Sequence, residues 1–261
     1  MSNQSLTCFG TGDGWPSPDR NHASFLYRFG RTSLLLDCGE SLDRSYKASG
    51  LSYDAPDGIF LSHLHADHFG GFFMFVQGSW LEGRRRDLPV YLPAGGLRPL
   101  RAMLDAAFMY EELLPFRLQL APLSERKTIR VNQVRVTAFC TTHLEGFRRR
   151  FARTHRGADF NAYCFLMESG KVRVGHSADL GKPEDLEPLL AKPLDLLVCE
   201  LAHFSPERIF EYLRGRKLKR VVFVHLARPF QERFARTRRL AAKMLGGIPH
   251  SFARDLDEIR F

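Results

Sequence analysis

From Phe60 to Gly71 the chain reads Phe-Leu-Ser-His63-Leu-His65-Ala-Asp67-His68-Phe-Gly-Gly, with three imidazoles and a carboxylate inside six positions. The apolar run Gly58–Ser62 just before it predicts a strand, and Phe69–Val76 after it predicts a helix packed on a sheet. Four ionisable side chains crowded against an apolar strand cannot all be settled by backbone partners, as a lone buried histidine usually is. A shared cation settles them together. On an extended turn His63 and His65 point the same way, because side chains alternate. Asp67 and His68 then turn toward a second ion as the helix begins. Imidazole nitrogen with carboxylate oxygen suits Zn²⁺, and also Fe or Mn.

Four residues do not fill two ions, so further ligands must come from elsewhere. Three candidates share one pattern, a polar side chain at the end of an apolar strand. His143 follows Val134–Cys140, Asp179 follows Val172–Gly175, and His225 ends Val221–Val224. Ligands at strand ends are held by a rigid sheet, which suits precise coordination.

The rest of the chain supplies the scaffold such a site needs. Strand-like segments fall at Ser5–Phe9, Ser24–Phe29, Ser33–Asp37, Pro89–Leu92, Thr128–Cys140, Asn161–Glu168, Lys171–Gly175, Asp195–Cys199 and Arg220–Val224. Helix-like segments fall after Asp67 and at Gly96–Tyr110, Pro183–Ala191, Pro206–Gly215 and Gln231–Leu245. This alternation predicts an α/β protein of stacked sheets with helices outside. With no linker, repeat or low-complexity tract, a single domain over 1–261 is the economical reading.

Charge and cysteine usage narrow the context. Lys and Arg outnumber Asp and Glu by 38 to 29, a formal charge of +9 that favours anionic partners, nucleic acid and phosphorylated small molecules included. No apolar run approaches the ~20 residues that span a bilayer, and the N-terminal stretch lacks the pattern of a secretory leader. The five cysteines are widely spaced, with no C-x-x-C pair, and read mostly as buried thiols of a reducing compartment. A cytoplasmic protein without membrane partners is the expectation.

The pattern His-x-His-x-Asp-His followed by a distant His, an Asp and a final His resembles the metallo-β-lactamase superfamily, and within it the ribonuclease Z branch of tRNA 3′-end endonucleases. Gly10-Thr11-Gly12 with Pro16 and Arg20-Asn21, and Leu36-Asp37-Cys38-Gly39-Glu40, are similar to that branch's N-terminal signatures. The resemblance runs from about Leu6 to Arg228. It implies a four-layer αββα sandwich of two mixed sheets. It also implies one ion on His63, His65 and His143, a second on Asp67, His68 and His225, and Asp179 bridging both. Asp67 would in addition orient or deprotonate the attacking water. Cys199-Glu200-Leu201-Ala202 and Ala202-His203-Phe204-Ser205 are similar to the branch's two further elements, so Glu200 and His203 would protonate the leaving group. A homodimer would be in keeping with the branch. The branch's long tRNA-gripping arm has no room here, because only 36 positions separate His143 from Asp179. That turns the reading toward a smaller phosphodiester or another substrate.

Two arginine clusters remain, Arg84-Arg85-Arg86 and Arg148-Arg149-Arg150. A solvated charge run is the plainer reading of each. The second starts five residues beyond His143 and interleaves with Phe147, Phe151 and Phe160, as in a surface that holds a phosphate and a base. Arg148, Arg149 and Arg150 are therefore the candidate substrate contacts. His176 is a candidate support for Asp179, while His22, His155 and His250 read as ordinary residues. The expected activity is di-metal hydrolysis, foremost of a phosphodiester by a hydroxide shared between the ions. Hydrolysis of a carboxylic ester, lactone, amide or thioester on the same site is the alternative. A redox or binding member is disfavoured, because no extra carboxylate ligand is visible and all seven candidate positions are filled.

Overall fold

Alternation along the central strands decides the layering. The computed structural model describes residues 4–261; residues 1–3, the start of the N-terminal stretch read above, lie outside the described residues. The first half runs β1 (Gln4–Gly10), β2 (Ser24–Phe29), β3 (Thr32–Leu36), α1 (Leu42–Ala48), β4 (Gly58–Phe60), α2 (Ala66–Phe69), α3 (Phe72–Leu81), β5 (Leu88–Leu92), α4 (Leu97–Ala106) and β6 (Leu118–Pro122). The second runs β7 (Thr128–Val131), β8 (Val134–Thr141), α5 (Glu145–Phe151), β9 (Ala162–Ser169), β10 (Val172–His176), α6 (Glu187–Leu190), β11 (Leu196–Leu201), α7 (Pro206–Leu213), β12 (Val221–Leu226), α8 (Arg228–Glu232), α9 (Phe234–Met244), β13 (His250–Phe252) and β14 (Glu258–Arg260).

Phe25, Tyr27 and Phe29 of β2 and Leu34 and Leu36 of β3 share one core with Val134 and Val136 of β8, Phe165 and Met167 of β9, and Val222 and Val224 of β12. The residues between them face outward. Leu26 and Leu35 pack under Tyr46 of α1, Phe72 and Phe75 of α3, and Leu100 and Leu104 of α4. Leu197, Cys199 and Phe223 pack under Ile209, Phe210 and Leu213 of α7 and Ala241 of α9. Strands apolar on both faces must be covered on both. The result is the expected helix–sheet–sheet–helix sandwich, each buried large side chain contributing ~1.5–3 kcal/mol.

Each sheet has seven strands, in the orders β14-β1-β2-β3-β4-β5-β6 and β13-β12-β11-β10-β9-β8-β7. Both are mixed. Strands β3 to β6 pair in parallel, as do β10 to β13, and the remaining pairs are antiparallel. The expected strand over Thr128–Cys140 is a hairpin, broken at Asn132, whose φ is 51°, with Val131 facing Val134. The helix expected over Gln231–Leu245 breaks at Arg233 into α8 and α9. All five cysteines are free; four are buried and Cys140 is half-buried. Among the described residues, no helix is long and apolar enough to cross a membrane.

The C-terminal ends of β3, β4, β8, β10, β11 and β12 meet at one rim of the sandwich. Two contacts bind the sheets there: Tyr163 N–H donates to the Ser62 carbonyl at 3.1 Å, and Gly12 bridges to Leu226. Three non-glycine residues at this rim, Asp37, Ala178 and His225, sit in the left-handed region with φ of 58°, 45° and 51°. Such conformations are costly for residues with a Cβ and concentrate where a loop must aim a side chain.

Candidate metal centre

The loop after β4 carries His63 to His68 across the rim. His63 is fully buried, His65 is the residue before α2, and Asp67 and His68 lie in that helix's single turn. His143 follows β8, Asp179 follows β10, and His225 lies in β12, where its N–H donates to the Thr11 carbonyl at 2.9 Å. The structure brings all seven expected ligands together as two groups, His63, His65, His143 and Asp179, and Asp67, His68, Asp179 and His225. Within each group one donor atom per residue lies within 4.8 Å of the others.

Asp179 belongs to both groups and divides its oxygens between them. Oδ2 is 3.7 Å from His63 Nε2 and 3.6 Å from His143 Nε2. Oδ1 is 3.3 Å from His68 Nε2 and 3.4 Å from His225 Nε2. Asp67 Oδ2 completes the second group, 3.4 Å from His68 Nε2 and 3.8 Å from His225 Nε2.

The chemistry of the donor atoms fits a cation. His63 Nε2, His68 Nε2 and Asp179 Oδ1 are buried with no aligned hydrogen-bond partner. Leaving such atoms unsatisfied costs ~1–3 kcal/mol each. His65 Nδ1 and His143 Nε2 face each other at 3.2 Å. Burial holds His63, His65 and His143 below the ordinary imidazole range, His143 down to about 3, so their lone pairs are free at neutral pH. Burial alone would lower His68 too, but the Asp179 and Asp37 carboxylates on either side outweigh it and hold it well above. A cluster of imidazole nitrogens and two carboxylates suits divalent metal ions.

Further side chains hold the ligands in place. Asp37, at the end of β3, accepts from His68 Nδ1 at 2.7 Å and Ser62 Oγ at 2.9 Å through Oδ2, and from the Ser62 N–H at 2.7 Å through Oδ1. A carboxylate must accept, so His68 Nδ1 donates to Asp37 and Nε2 is the nitrogen that would serve an ion. Asp185 accepts from the Thr142 N–H and the Gly181 N–H, both at 2.9 Å, and so fastens the His143 loop to the Asp179 loop. The only advance signal for Asp37 was its place in the Leu36–Glu40 signature; Asp185 gave none.

Glu200 is 1% exposed and is no surface carboxylate. Its Oε1 accepts from Leu180 N–H at 2.9 Å and His203 Nδ1 at 2.9 Å, and its Oε2 from Ala202 N–H at 2.7 Å and His203 N–H at 3.1 Å. His203 Nε2 then points back to Asp179 Oδ2 at 3.6 Å, with a third of the side chain open to solvent. Burial would lower His203, but the Glu200 hydrogen bond and charge outweigh it and push it up to about 9. His176, by contrast, turns into the core between Phe25 and Tyr27, and its Nδ1 faces the Tyr27 hydroxyl at 2.8 Å.

The arginine clusters divide. Arg84 is 1% exposed and neither solvated nor available to a ligand. Its guanidinium donates to the carbonyls of Tyr53, Pro56, Arg86 and Asp87. Arg148, Arg149 and Arg150 lie exposed on α5. Arg148 donates to Asn161 Oδ1 at 3.0 Å, Arg149 lies 3.9 Å from Glu145, and Arg150 sits over the Phe151 ring at 5.1 Å. The link from this helix to the ligands is Phe147, half-exposed, with its ring 5.7 Å from that of His65.

The chain is similar to several known proteins. Ribonuclease Z of Archaeoglobus fulgidus is 33% identical over 139 residues, 53% of this chain and 44% of that protein. Ribonuclease Z of Methanopyrus kandleri is 40% identical over 108 residues, 41% of this chain and 38% of that protein. The chain thus spans less than half the length of these curated relatives. Among solved structures, the metallo-beta-lactamase fold protein YhfI of Bacillus subtilis superposes with a TM-score of 0.80 at 16% identity, covering 100% of both chains. Human tRNase Z, short form, superposes with a TM-score of 0.72 at 20% identity, covering 98% of each. The family described as beta-lactamase superfamily domain matches residues 32–226. With that match over most of its length, the chain belongs to the beta-lactamase superfamily.

Proposed function

We infer that the chain is a di-metal phosphodiesterase of the ribonuclease Z kind. The observation that carries this reading is the Asp179 carboxylate set between two groups of buried, unpartnered donors, with the Glu200–His203 pair beside it. His63, His65 and His143 would hold one ion, Asp67, His68 and His225 the other, and Asp179 would bridge them. Zn²⁺ is the metal proposed, since imidazole predominates among the ligands. When bound, such ions lower the pKa of a water toward neutrality and stabilise charge on a phosphoryl oxygen.

The chain's own groups do the rest. Asp67, with a second oxygen free of the ligand group, orients the attacking water. His203 carries its proton at neutral pH, being pushed up to about 9, and its Nε2 is placed to pass that proton to the leaving oxygen. Glu200, locked by four donors, fixes the ring through Nδ1. Phe147 offers a stacking face beside His65 for a base or ring of the substrate. Arg148, Arg149 and Arg150 meet the substrate's charge, because their helix begins two residues after His143. The +9 charge and the names of the relatives support an anionic, nucleotide-containing substrate. One domain over 1–261, a homodimer and a reducing, cytoplasmic setting for the five free thiols complete the proposal.

The test is hydrolysis of a chromogenic phosphodiester by protein loaded with Zn²⁺ or Mn²⁺, beside a chelated control. Metal-dependent turnover is expected. Stoichiometric metal with no turnover, together with cleavage of carboxylic esters or lactones, would overturn the phosphodiester reading and leave the metal site standing.

A further inference from the structure

Segment 228–254 carries seven Arg and Lys residues against one acidic residue, Glu232, in a chain of net charge +9. All seven are exposed. Arg228 pairs with Glu232 at 3.0 Å. The guanidinium groups of Arg233, Arg236, Arg238, Arg239 and Arg254 have no carboxylate partner among the described residues, although the Arg254 backbone N–H donates to Asp257 Oδ2 at 2.8 Å. Elsewhere twelve of the 31 Lys and Arg residues pair with a carboxylate, as Arg117 does with Asp87 at 2.6 Å, against one of seven in this segment. A cluster of unpaired like charges raises the free energy of the fold and is relieved by a polyanion that displaces small counterions.

The cluster surrounds space. A cleft of about 670 Å³ opens between α9 and the edge strand β13, walled by Arg238, Arg239, Arg254, His250, Phe234 and Phe252. A second cleft of about 760 Å³ shares Phe234 and Arg254 with it and adds Arg228 and the loop bearing Trp15, which is 63% exposed. Of the carboxylates lining this second cleft, Glu232 pairs with Arg228, Asp255 and Asp13 are taken by N–H donors, and Asp19 is left open to solvent. Asp255 accepts from Thr11 and Asn21, and Asp13 accepts from the Arg228 and Trp15 N–H groups. The Trp15 loop leads to the metal centre, since a Cβ on Gly14 would lie 3.4 Å from Asp67 Oδ2.

We propose that the α9–β13 face is a track for single-stranded nucleic acid, leading the strand along the two clefts and past Gly14 to the site. Phosphates meet Arg238, Arg239 and Arg254, and bases lie on Phe234, Phe252 and Trp15, the combination of cations and aromatic faces that single strands require. The track's use in catalysis rests on the phosphodiester reading above; its binding does not.

The experiment uses the metal-loaded full chain and a short fluorescent single-stranded oligoribonucleotide, followed by anisotropy across a salt series. Alanine at Arg238, Arg239 and Arg254 together should weaken binding roughly 10–100-fold at low salt. It should also flatten the log–log salt slope by about 2, at ~0.7 per phosphate contact. Lysine at the same three positions should keep most of the affinity. Melting temperature should not fall in either variant, and kcat on a small chromogenic diester should not change. Unchanged affinity and slope in the alanine variant, no binding by the parent protein, or equal binding of polyglutamate would each overturn the proposal. Absence of small-diester turnover in the parent protein would instead refute the phosphodiester reading, and the binding series would still decide the track.

Discussion

Replacing Asp37 by asparagine changes one atom of a buried carboxylate, and three contacts fix what that atom does. The backbone there has φ of 58°, a conformation asparagine adopts as readily as aspartate, so the main chain does not confound the result. The amide oxygen can keep the Ser62 N–H, now at 2.7 Å, and the NH₂ then faces His68 Nδ1, now at 2.7 Å from a carboxylate oxygen. Two donors cannot share that contact, so the His68 proton must move to Nε2, the nitrogen that faces Asp67 and Asp179. With the amide turned the other way, the buried Ser62 N–H is orphaned instead, costing ~1–3 kcal/mol. Either way the second ligand group is struck directly, through His68, whereas the first is reached only at one remove, through Ser62 Oγ, which lies 3.0 Å from His63 Nδ1. Losing such a supporting contact typically costs 10–100-fold in metal affinity, about 1.4–2.7 kcal/mol. Zn²⁺ titration calorimetry on Asp37→Asn should therefore show one site near parental affinity and one weakened by that factor. Two unchanged sites, or two equally weakened ones, would refute the assignment of His68 to a separate group supported by Asp37.

Three other outcomes follow from contacts already described. His203→Ala should lower kcat ~10²–10⁴-fold for a diester with a poor alkoxide leaving group and far less for one releasing nitrophenolate, which needs no proton; equal losses would remove the general-acid role. Alanine at Arg148, Arg149 and Arg150 together should raise KM for an anionic substrate and weaken its salt dependence, and an unchanged salt slope would dismiss these arginines as substrate contacts. Burial above all depresses His176 to about 3, against an ordinary value of 6.5. The unfolded chain thus binds a proton below pH 6.5 that the fold refuses. Stability should fall by ~1.4 kcal/mol per pH unit on this account as pH drops from 6.5 toward 3, and His176→Gln should remove that part of the slope in urea melts at several pH values.

What the sequence displays well is whatever the chemistry crowds together. Four donors in His63–His68 announce a cation without help, and His143, Asp179 and His225 stand out because a polar residue abruptly ends an apolar run. The central strands are equally plain, since Phe25–Phe29 and Leu34–Leu36 must be covered on both faces. What stays hidden depends on neighbours distant along the chain. Asp37 acts on His68 only because β3 lies beside β4, and Asp185 joins two loops that have no sequence relation. Arg84 reads as one of three solvated cations, yet it fills the interior because four carbonyls converge on it. The edge strands β6, β13 and β14 went unread for a simpler reason. The last two are three residues long, and all take their extended form from the strand they join instead of from a periodic pattern of their own. The short helices α1 and α5 escaped for the same cause, being too brief to carry a 3.6-residue period.

The claim on which the whole account turns is that Asp179 is shared by two ions. Metal content per chain after Zn²⁺ loading and removal of excess, measured by mass spectrometry for the parent protein and for Asp179→Ala, tests it most directly. The account predicts about two ions in the parent protein, no more than one in the variant, and loss of diester turnover along with the missing ion. A variant that keeps both ions and its turnover would contradict it.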